Sequence, residues 1–111
     1  MDDSLDRLFS ALADPTRRAI LTQLARGEAT VSEIGAPFGM SQPAISRHLK
    51  VLEAAGLIET SRSAQARLRR LNPDGFDAAS VFISEMRSCW PDRFDRLDVY
   101  LKFPGPNEGQ G

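Results

Sequence analysis

Cysteine and histidine are nearly missing from this 111-residue chain, which carries one of each, Cys89 and His48. A lone cysteine excludes an intrachain disulfide framework and any cysteine-rich metal cluster. One histidine, with no glycine-rich phosphate loop and no nucleophile motif, leaves little from which to build a reaction centre. No catalytic residue, metal ligand or cofactor is therefore expected. Long apolar runs are also absent: none approaches the roughly 20 residues that cross a bilayer. The acidic start Met1-Asp2-Asp3-Ser4 lacks the basic-then-apolar plan of a signal peptide. The expectation is a cytoplasmic protein with no membrane partner.

Net charge is close to absent too, at −1, which by itself speaks against a polyanionic partner. The distribution reverses that reading. From Asp14 to Leu71 nine Arg or Lys stand against five Asp or Glu, while both ends of the chain are acidic. Local field governs phosphate contact more than overall charge does. With 41% hydrophobic and 26% charged residues, the composition is globular, and the length suits one domain around one core. That domain is placed at residues 4–103, after a flexible start at 1–3 and before a Gly- and Pro-rich, disordered tail at 104–111.

Apolar spacing and caps divide the chain into elements. Leu5, Leu8, Phe9 and Leu12 recur at three and four, a short helix capped by Ser4. Asp14-Pro15 restarts a helix, since proline suits the first helical turn; Ala19, Ile20 and Leu24 are its buried stripe and Gly27 its end. Thr30-Val31-Ser32-Glu33 has the form of a capping box opening a helix with Val31, Ile34 and Phe38, which Gly39 ends. Ser41-Gln42-Pro43 starts the next, with Ile45, Leu49 and Leu52 inward and Gly56 just past its end. Two short helices joined by a tight glycine turn make a helix-turn-helix. Residues 57–62 and 67–71 then read as two strands joined at Ser63-Ala64-Gln65-Ala66. A hairpin directly behind such a helix pair is a wing. Asn72-Pro73 repeats the cap-and-proline start, and apolar or small residues at 76, 79, 83, 86, 90, 94, 97 and 101 continue a helical stripe that Pro91 interrupts.

Three segments, Leu12-Ala-Asp-Pro-Thr-Arg-Arg-Ala-Ile-Leu21, Ser41-Gln-Pro-Ala-Ile-Ser-Arg-His-Leu-Lys-Val-Leu52 and Ala55-Gly-Leu-Ile58, resemble the arsenic-repressor (ArsR/SmtB) family. The resemblance runs colinearly over about residues 5–101. It implies a mainly α fold with a small β-hairpin, a winged helix-turn-helix of order ααααββα, and a homodimer through the first and last helices. It also implies repression of transcription at a palindromic double-stranded DNA operator, with an unidentified small effector as a further partner. The chain departs from the family's metal sensors. Thr30-Val-Ser-Glu-Ile-Gly-Ala-Pro-Phe38 has no thiol and the last helix no histidine, whereas soft-metal sites need thiolates or imidazoles in sets. The wing tip also lacks the family's usual glycine.

Within this frame Gln42, Ser46, Arg47 and Lys50 lie opposite the apolar stripe of the fourth helix. Arginine can bond guanine bidentately and glutamine adenine, and lysine suits phosphate. The plainer alternative is a solvated helix face. Ser41 caps the helix, touches DNA, or does both. His48 flanks the stripe, as a DNA contact or as a packed, hydrogen-bonded ring. Arg62, Arg67 and Arg69 are the wing candidates for phosphate or minor groove, with Leu68 taken as inward. Arg70, which shares its parity, is expected to leave the sheet. Arg17 and Arg18 are read as local ion-pair formers or phosphate contacts. The dimer seam is assigned to Leu5, Leu8, Phe9 and Leu12 with Ile83, Met86, Trp90, Phe94, Leu97 and Leu101, because a monomer would expose this apolar surface. Cys89 beside it is read as a buried small hydrophobe, the sharper option being a thiol switch. A protein-docking module that reads no DNA is the rival function.

Overall fold

In this computed structural model the described residues are 3–63 and 66–89. Helices α1 (Asp3–Leu12), α2 (Pro15–Leu24), α3 (Val31–Gly35) and α4 (Gln42–Ala54) precede a hairpin of β1 (Ile58–Ser63) and β2 (Ala66–Leu71). Helix α5 (Asp77–Cys89) follows. The chain to Ala79 is one compact unit, and Ser80 opens a second, described by itself. No helix among the described residues is long and apolar enough to cross a membrane.

Caps set most of the boundaries. Asp14 accepts a hydrogen bond from the Arg17 backbone N–H at 3.0 Å, with Pro15 in the first turn. Thr30 and Glu33 form the reciprocal capping box, with bonds of 2.8 and 3.3 Å. Ser41 accepts from the Ala44 N–H at 3.3 Å. Gly39 and Gly56 take left-handed backbone at φ 63 and 77°, a conformation that costs glycine least. Around these turns Leu8, Ile20, Ile34, Ile45, Leu49, Leu52 and Leu57 close into one core.

Several expectations are corrected. Helix α2 stops at Leu24 rather than Gly27. The chain then runs on to Ala29, which pairs with Arg69 of β2 through two backbone bonds of 3.0 and 2.8 Å. That pairing extends the wing's base toward α3. Phe38 sits in a 3-10 turn (Ala36–Phe38), not in the helix before it. Asn72 does not cap α5. Its side chain donates to the Gly56 carbonyl at 3.0 Å, its backbone N–H donates to Leu57, and a 3-10 turn (Pro73–Phe76) intervenes. Its amide nitrogen is spent on a carbonyl past the end of α4, and its side chain makes no capping bond to the turn that follows. Leu8, read as part of a dimer seam, is 2% exposed in the core of its own chain, and Leu12 packs against that core. Leu8 thus has no apolar surface to match that assignment, whereas Leu5 and Leu12 are half-buried and Phe9 is exposed.

The wing's faces are the reverse of those expected. Ile58 pairs with Leu71, Thr60 with Arg69 and Arg62 with Arg67 on one face; Glu59 with Arg70 and Ser61 with Leu68 share the other. Buried Ile58 marks the inward side, so Leu68 lies on the outer face. Arg70 stays on the sheet, its Nε 3.4 Å from the Glu59 carboxylate across the strands.

In the second unit Val81, Ile83 and Met86 are exposed, Ile83 by 52%, and Phe82 is exposed as well. Cys89 is exposed rather than buried. Trp90, Phe94, Leu97 and Leu101 of the expected seam, Pro91 and the tail lie outside the described residues.

Gly75 was not singled out by sequence, yet it meets the tightest constraint. A Cβ on it would stand 1.9 Å from the Gly56 carbonyl oxygen, on backbone that Asn72 also holds. Gly75→Ala is expected to lower stability by about 1–3 kcal/mol, the usual cost of forcing an extra carbon into packed structure. Thermal unfolding would show it as a reduced Tm, and an unchanged Tm would mean that the close approach relaxes freely.

Candidate nucleic-acid interface

Helix α4 is held from one side and open on the other. Ile45, Leu49 and Leu52 are buried, and α1, α2, α3 and β1 all pack on the helix. Gly35 allows the approach of α3, since a Cβ there would come within 3.1 Å of Ile45. With 3.6 residues per turn, the polar positions then fall on the outer edge. Arg47 and Lys50 are exposed and make no bond among the described residues. Ser46 is half-buried, at the edge rather than the crest.

Ser41 and Gln42, at the start of α4, are exposed but engaged. Ser41 caps the helix, and Gln42 donates through Nε2 to the Ser32 hydroxyl of α3 at 2.7 Å. This last bond joins the two helices of the helix-turn-helix across their turn and orients the glutamine amide. Sequence reasoning missed Ser32, because nothing in a single chain marks which exposed serine faces the next helix.

His48 is packed and hydrogen-bonded at Nδ1, which leaves its reading as a DNA contact open at Nε2. Its side chain is 19% exposed, with Nδ1 3.3 Å from Arg17 Nη1 and 3.9 Å from Asp14 Oδ2. Arg17 reaches it while donating through Nε to the Ala11 carbonyl at 2.8 Å and through Nη2 to Ser10 at 3.1 Å. Arg18 donates to Leu12 at 2.8 Å. Helix α1 has no basic residue in its own last turn, so its terminal carbonyls, which carry partial negative charge, are met from α2. That bare terminus is the signal that could have assigned Arg17 and Arg18 to the end of α1. The Arg17 backbone N–H holds the Asp14 carboxyl below the usual carboxylate range, against the opposing loss of solvation and with smaller help from the nearby Arg17 and His48.

In the wing, Arg62 and Arg67 are exposed and face each other across the strands. Arg69 differs from both. It is half-buried at the wing's base, with Nε buried and unpartnered, and its backbone is spent on Ala29. The inner face that carries it also carries Thr60, whose hydroxyl donates to Glu53 of α4 at 2.6 Å. Arg69 thus belongs to the joint between wing and helix rather than to an open cationic tip. Among the described residues no three of His, Cys, Asp and Glu gather into a metal site.

Residues 14–60 match the family described as bacterial regulatory protein, arsR family. The chain is 44% identical to a helix-turn-helix-type transcriptional regulator of Mycobacterium tuberculosis, over 68% of this chain and 70% of that one. It is 41% identical to the transcriptional repressor SdpR of Bacillus subtilis, over 55% and 68% of the two chains. Among solved structures, the homodimeric winged helix-turn-helix DNA-binding domain of a possible ArsR-family regulator from Mycobacterium bovis superposes with a TM-score of 0.63. That alignment has 31% identity and covers 77% of this chain and 81% of the other. With this fold and these matches, the chain belongs to the arsR family of bacterial transcriptional regulators.

Proposed function

We propose that this protein represses transcription in the cytoplasm by binding a short palindromic operator as a homodimer. Each subunit lays α4 in the major groove and its wing along the phosphate backbone. The observation that carries the reading is the open edge of α4: Arg47 and Lys50 stand exposed and unbonded among the described residues, on a helix whose other side is locked into the core. A docking module needs no such edge. Two copies of α4 related by a two-fold axis reach successive major grooves about 34 Å apart, one turn of DNA, and the two-fold makes the site a palindrome.

Arg47 reads base edges, Ser46 lies beside it, and Gln42 is presented by Ser32. Lys50, Arg62 and Arg67 contact phosphate and supply the salt-dependent part of the affinity. The dimer's apolar surface comes from Leu5 and Phe9 of α1 and from Val81, Ile83 and Met86 of α5. Bound protein then occludes the promoter, and a small effector would release it by preferring a dimer geometry that does not fit the operator.

Selection from a library of random duplexes is expected to return inverted repeats with half-sites one turn apart. Arg47→Ala should lower affinity for the selected duplex by about 1–3 kcal/mol and relax preference at one position per half-site, the cost of one bidentate base contact. Lys50→Ala should instead weaken binding to every sequence and reduce the salt slope by about one ion per subunit. Recovery of no sequence, or equal binding of wild type and Arg47→Ala, would favour the docking module.

Ile83→Glu places a charge on the proposed dimer surface. Sedimentation should show it shifted toward monomer, with loss of operator binding, because a desolvated, unpaired carboxylate is costly to bury. A variant that stays dimeric at low micromolar concentration would remove Ile83 from the seam.

A further inference from the structure

We infer that Arg17 is a positioning residue for DNA reading, acting through His48: it fixes the ring proton on Nε2 and so makes Nε2–H a donor for a DNA phosphate. This rests on the DNA-binding reading of α4. Two groups compete for His48 Nδ1. A guanidinium can only donate and a carboxylate can only accept. Arg17 Nη1 stands 3.3 Å from Nδ1, within hydrogen-bond distance, whereas Asp14 Oδ2 stands at 3.9 Å, beyond it. The nearer group decides the tautomer. Nδ1 accepts from Arg17, and the neutral ring carries its proton on Nε2.

Arg17 is itself held in place. Its Nε and Nη2 are spent on the Ala11 and Ser10 carbonyls at the end of α1, so Nη1 is aimed at His48 by two bonds that do not depend on the histidine. Among the described residues Nε2 has no partner, while the side chain keeps 19% of its surface exposed. His48 follows Arg47 directly on α4, two residues before Lys50. A half-buried N–H donor at that point suits a phosphate oxygen flanking the bases that Arg47 reads.

Asp14 makes the arrangement sensitive. Its carboxyl is held below the usual carboxylate range, first by the Arg17 backbone N–H, so it stays an anion wherever imidazoles titrate. Without the Arg17 guanidinium, that anion would be the remaining partner for Nδ1 and would draw the ring proton to it. Nε2 would then face phosphate as a lone pair, acceptor against acceptor. Among the described residues the charged and titratable groups facing the ring are Arg17 and Asp14 of α2 and its cap, together with the α1 carbonyls that anchor Arg17. A doubly protonated ring donates from Nε2 whether or not Arg17 is present.

The chain's single histidine makes the test unambiguous. In free wild-type protein at about pH 8, well above the usual imidazole range, long-range proton–nitrogen correlation spectra should show the Nε2–H tautomer. A ring protonated mainly at Nδ1 overturns the inference before any DNA is added. Arg17→Met, with its fold checked by thermal unfolding, should move the neutral ring to Nδ1–H. It should also weaken binding to the selected duplex by about tenfold at that pH, the worth of one charge-assisted hydrogen bond. At an acid pH where the same spectra show both ring nitrogens protonated, that deficit should close to within a factor of about two. A deficit equal at both pH values would reduce Arg17 to a structural cap and overturn the proposal.

Should Arg17→Met fail to fold, the substitutions at His48 decide. His48→Gln, whose Nε2 keeps a donor at the outer position, should retain wild-type affinity, and His48→Asn, which mimics only Nδ1, should lose about the same tenfold. Equal affinities for these two variants overturn the donor role. If wild type binds no duplex while the tautomer is as expected, the DNA reading fails and the Arg17–His48 chemistry stands apart from it.

Discussion

Everything in this fold that bears on DNA depends on the burial of one stripe, Ile45, Leu49 and Leu52, on α4. Those three side chains account for about 5–9 kcal/mol of apolar transfer free energy at typical values per residue, an upper figure because an unfolded chain already hides part of its surface. No single polar bond in the molecule approaches that. The stripe fixes the rotation of the helix about its axis, and rotation decides which residues face outward. A slip of one position would turn the helix by about 100° and bury Arg47's neighbours instead. The polar contacts act at a finer level. Gln42 to Ser32, Thr60 to Glu53 and His48 to Arg17 tie α4 to α3, β1 and α2 in turn, so that the helix is trimmed in position by three bonds after the core has set its face.

The same economy governs the helix ends. Asp14 caps α2, and the Arg17 whose N–H it accepts sends its side chain back to close α1 and across to α4. About one turn of sequence, Asp14 to Arg17, thereby joins three helices. At the opposite end of α4, Gly56, Asn72 and Gly75 bring the entry and exit of the wing together. Wing and reading helix therefore share a joint at each end of the hairpin's base, the second being the Thr60–Glu53 bond. A wing fixed this way presents Arg62 and Arg67 on a rigid arm, which lowers the entropic cost of the phosphate contacts proposed for them.

What was legible in the sequence follows from how local each signal is. Caps and glycines act over three or four residues, so Asp14, Thr30–Glu33, Ser41, Gly39 and Gly56 could be read from spacing alone. The buried stripes were legible for the same reason, through the helical period. Contacts between residues far apart in sequence were not. Nothing near Gly75 announces that Gly56 lies against it, and nothing near Ala29 announces its pairing with Arg69. The parity of the wing failed more instructively. Alternation specifies two faces but not which is inward, and it makes Leu68 the inward marker where Ile58 and Leu71, at the base, hold that place. The error carried Arg69 outward with it. Leu8 went astray because an apolar stripe on a first helix fits both a core and a seam, and only burial distinguishes them. For the site itself, residue types and helix face were legible, whereas the partners that orient Gln42 and His48 required coordinates.

The charge distribution bears on how a nearly neutral protein can hold a polyanion. Its acidic residues are not spread evenly, and several near the reading surface are occupied: Asp14 as a cap beside Arg17, Glu33 in a capping box, Glu53 with Thr60, Glu59 with Arg70. Each of these carboxylates is turned toward a donor within the fold. Arg47, Lys50, Arg62 and Arg67 have no such partner among the described residues. Formal charge counts both sets equally, but the field at the surface does not, because a carboxylate engaged by a cation or by backbone N–H groups projects less of its charge outward. The reading edge is thus more basic than the sequence total implies. Since the Debye length at physiological salt is only about 8 Å, the acidic chain ends weigh little on a phosphate seated at α4 wherever they lie farther than that from it. Local pairing, rather than a high isoelectric point, is what makes this small surface suited to DNA.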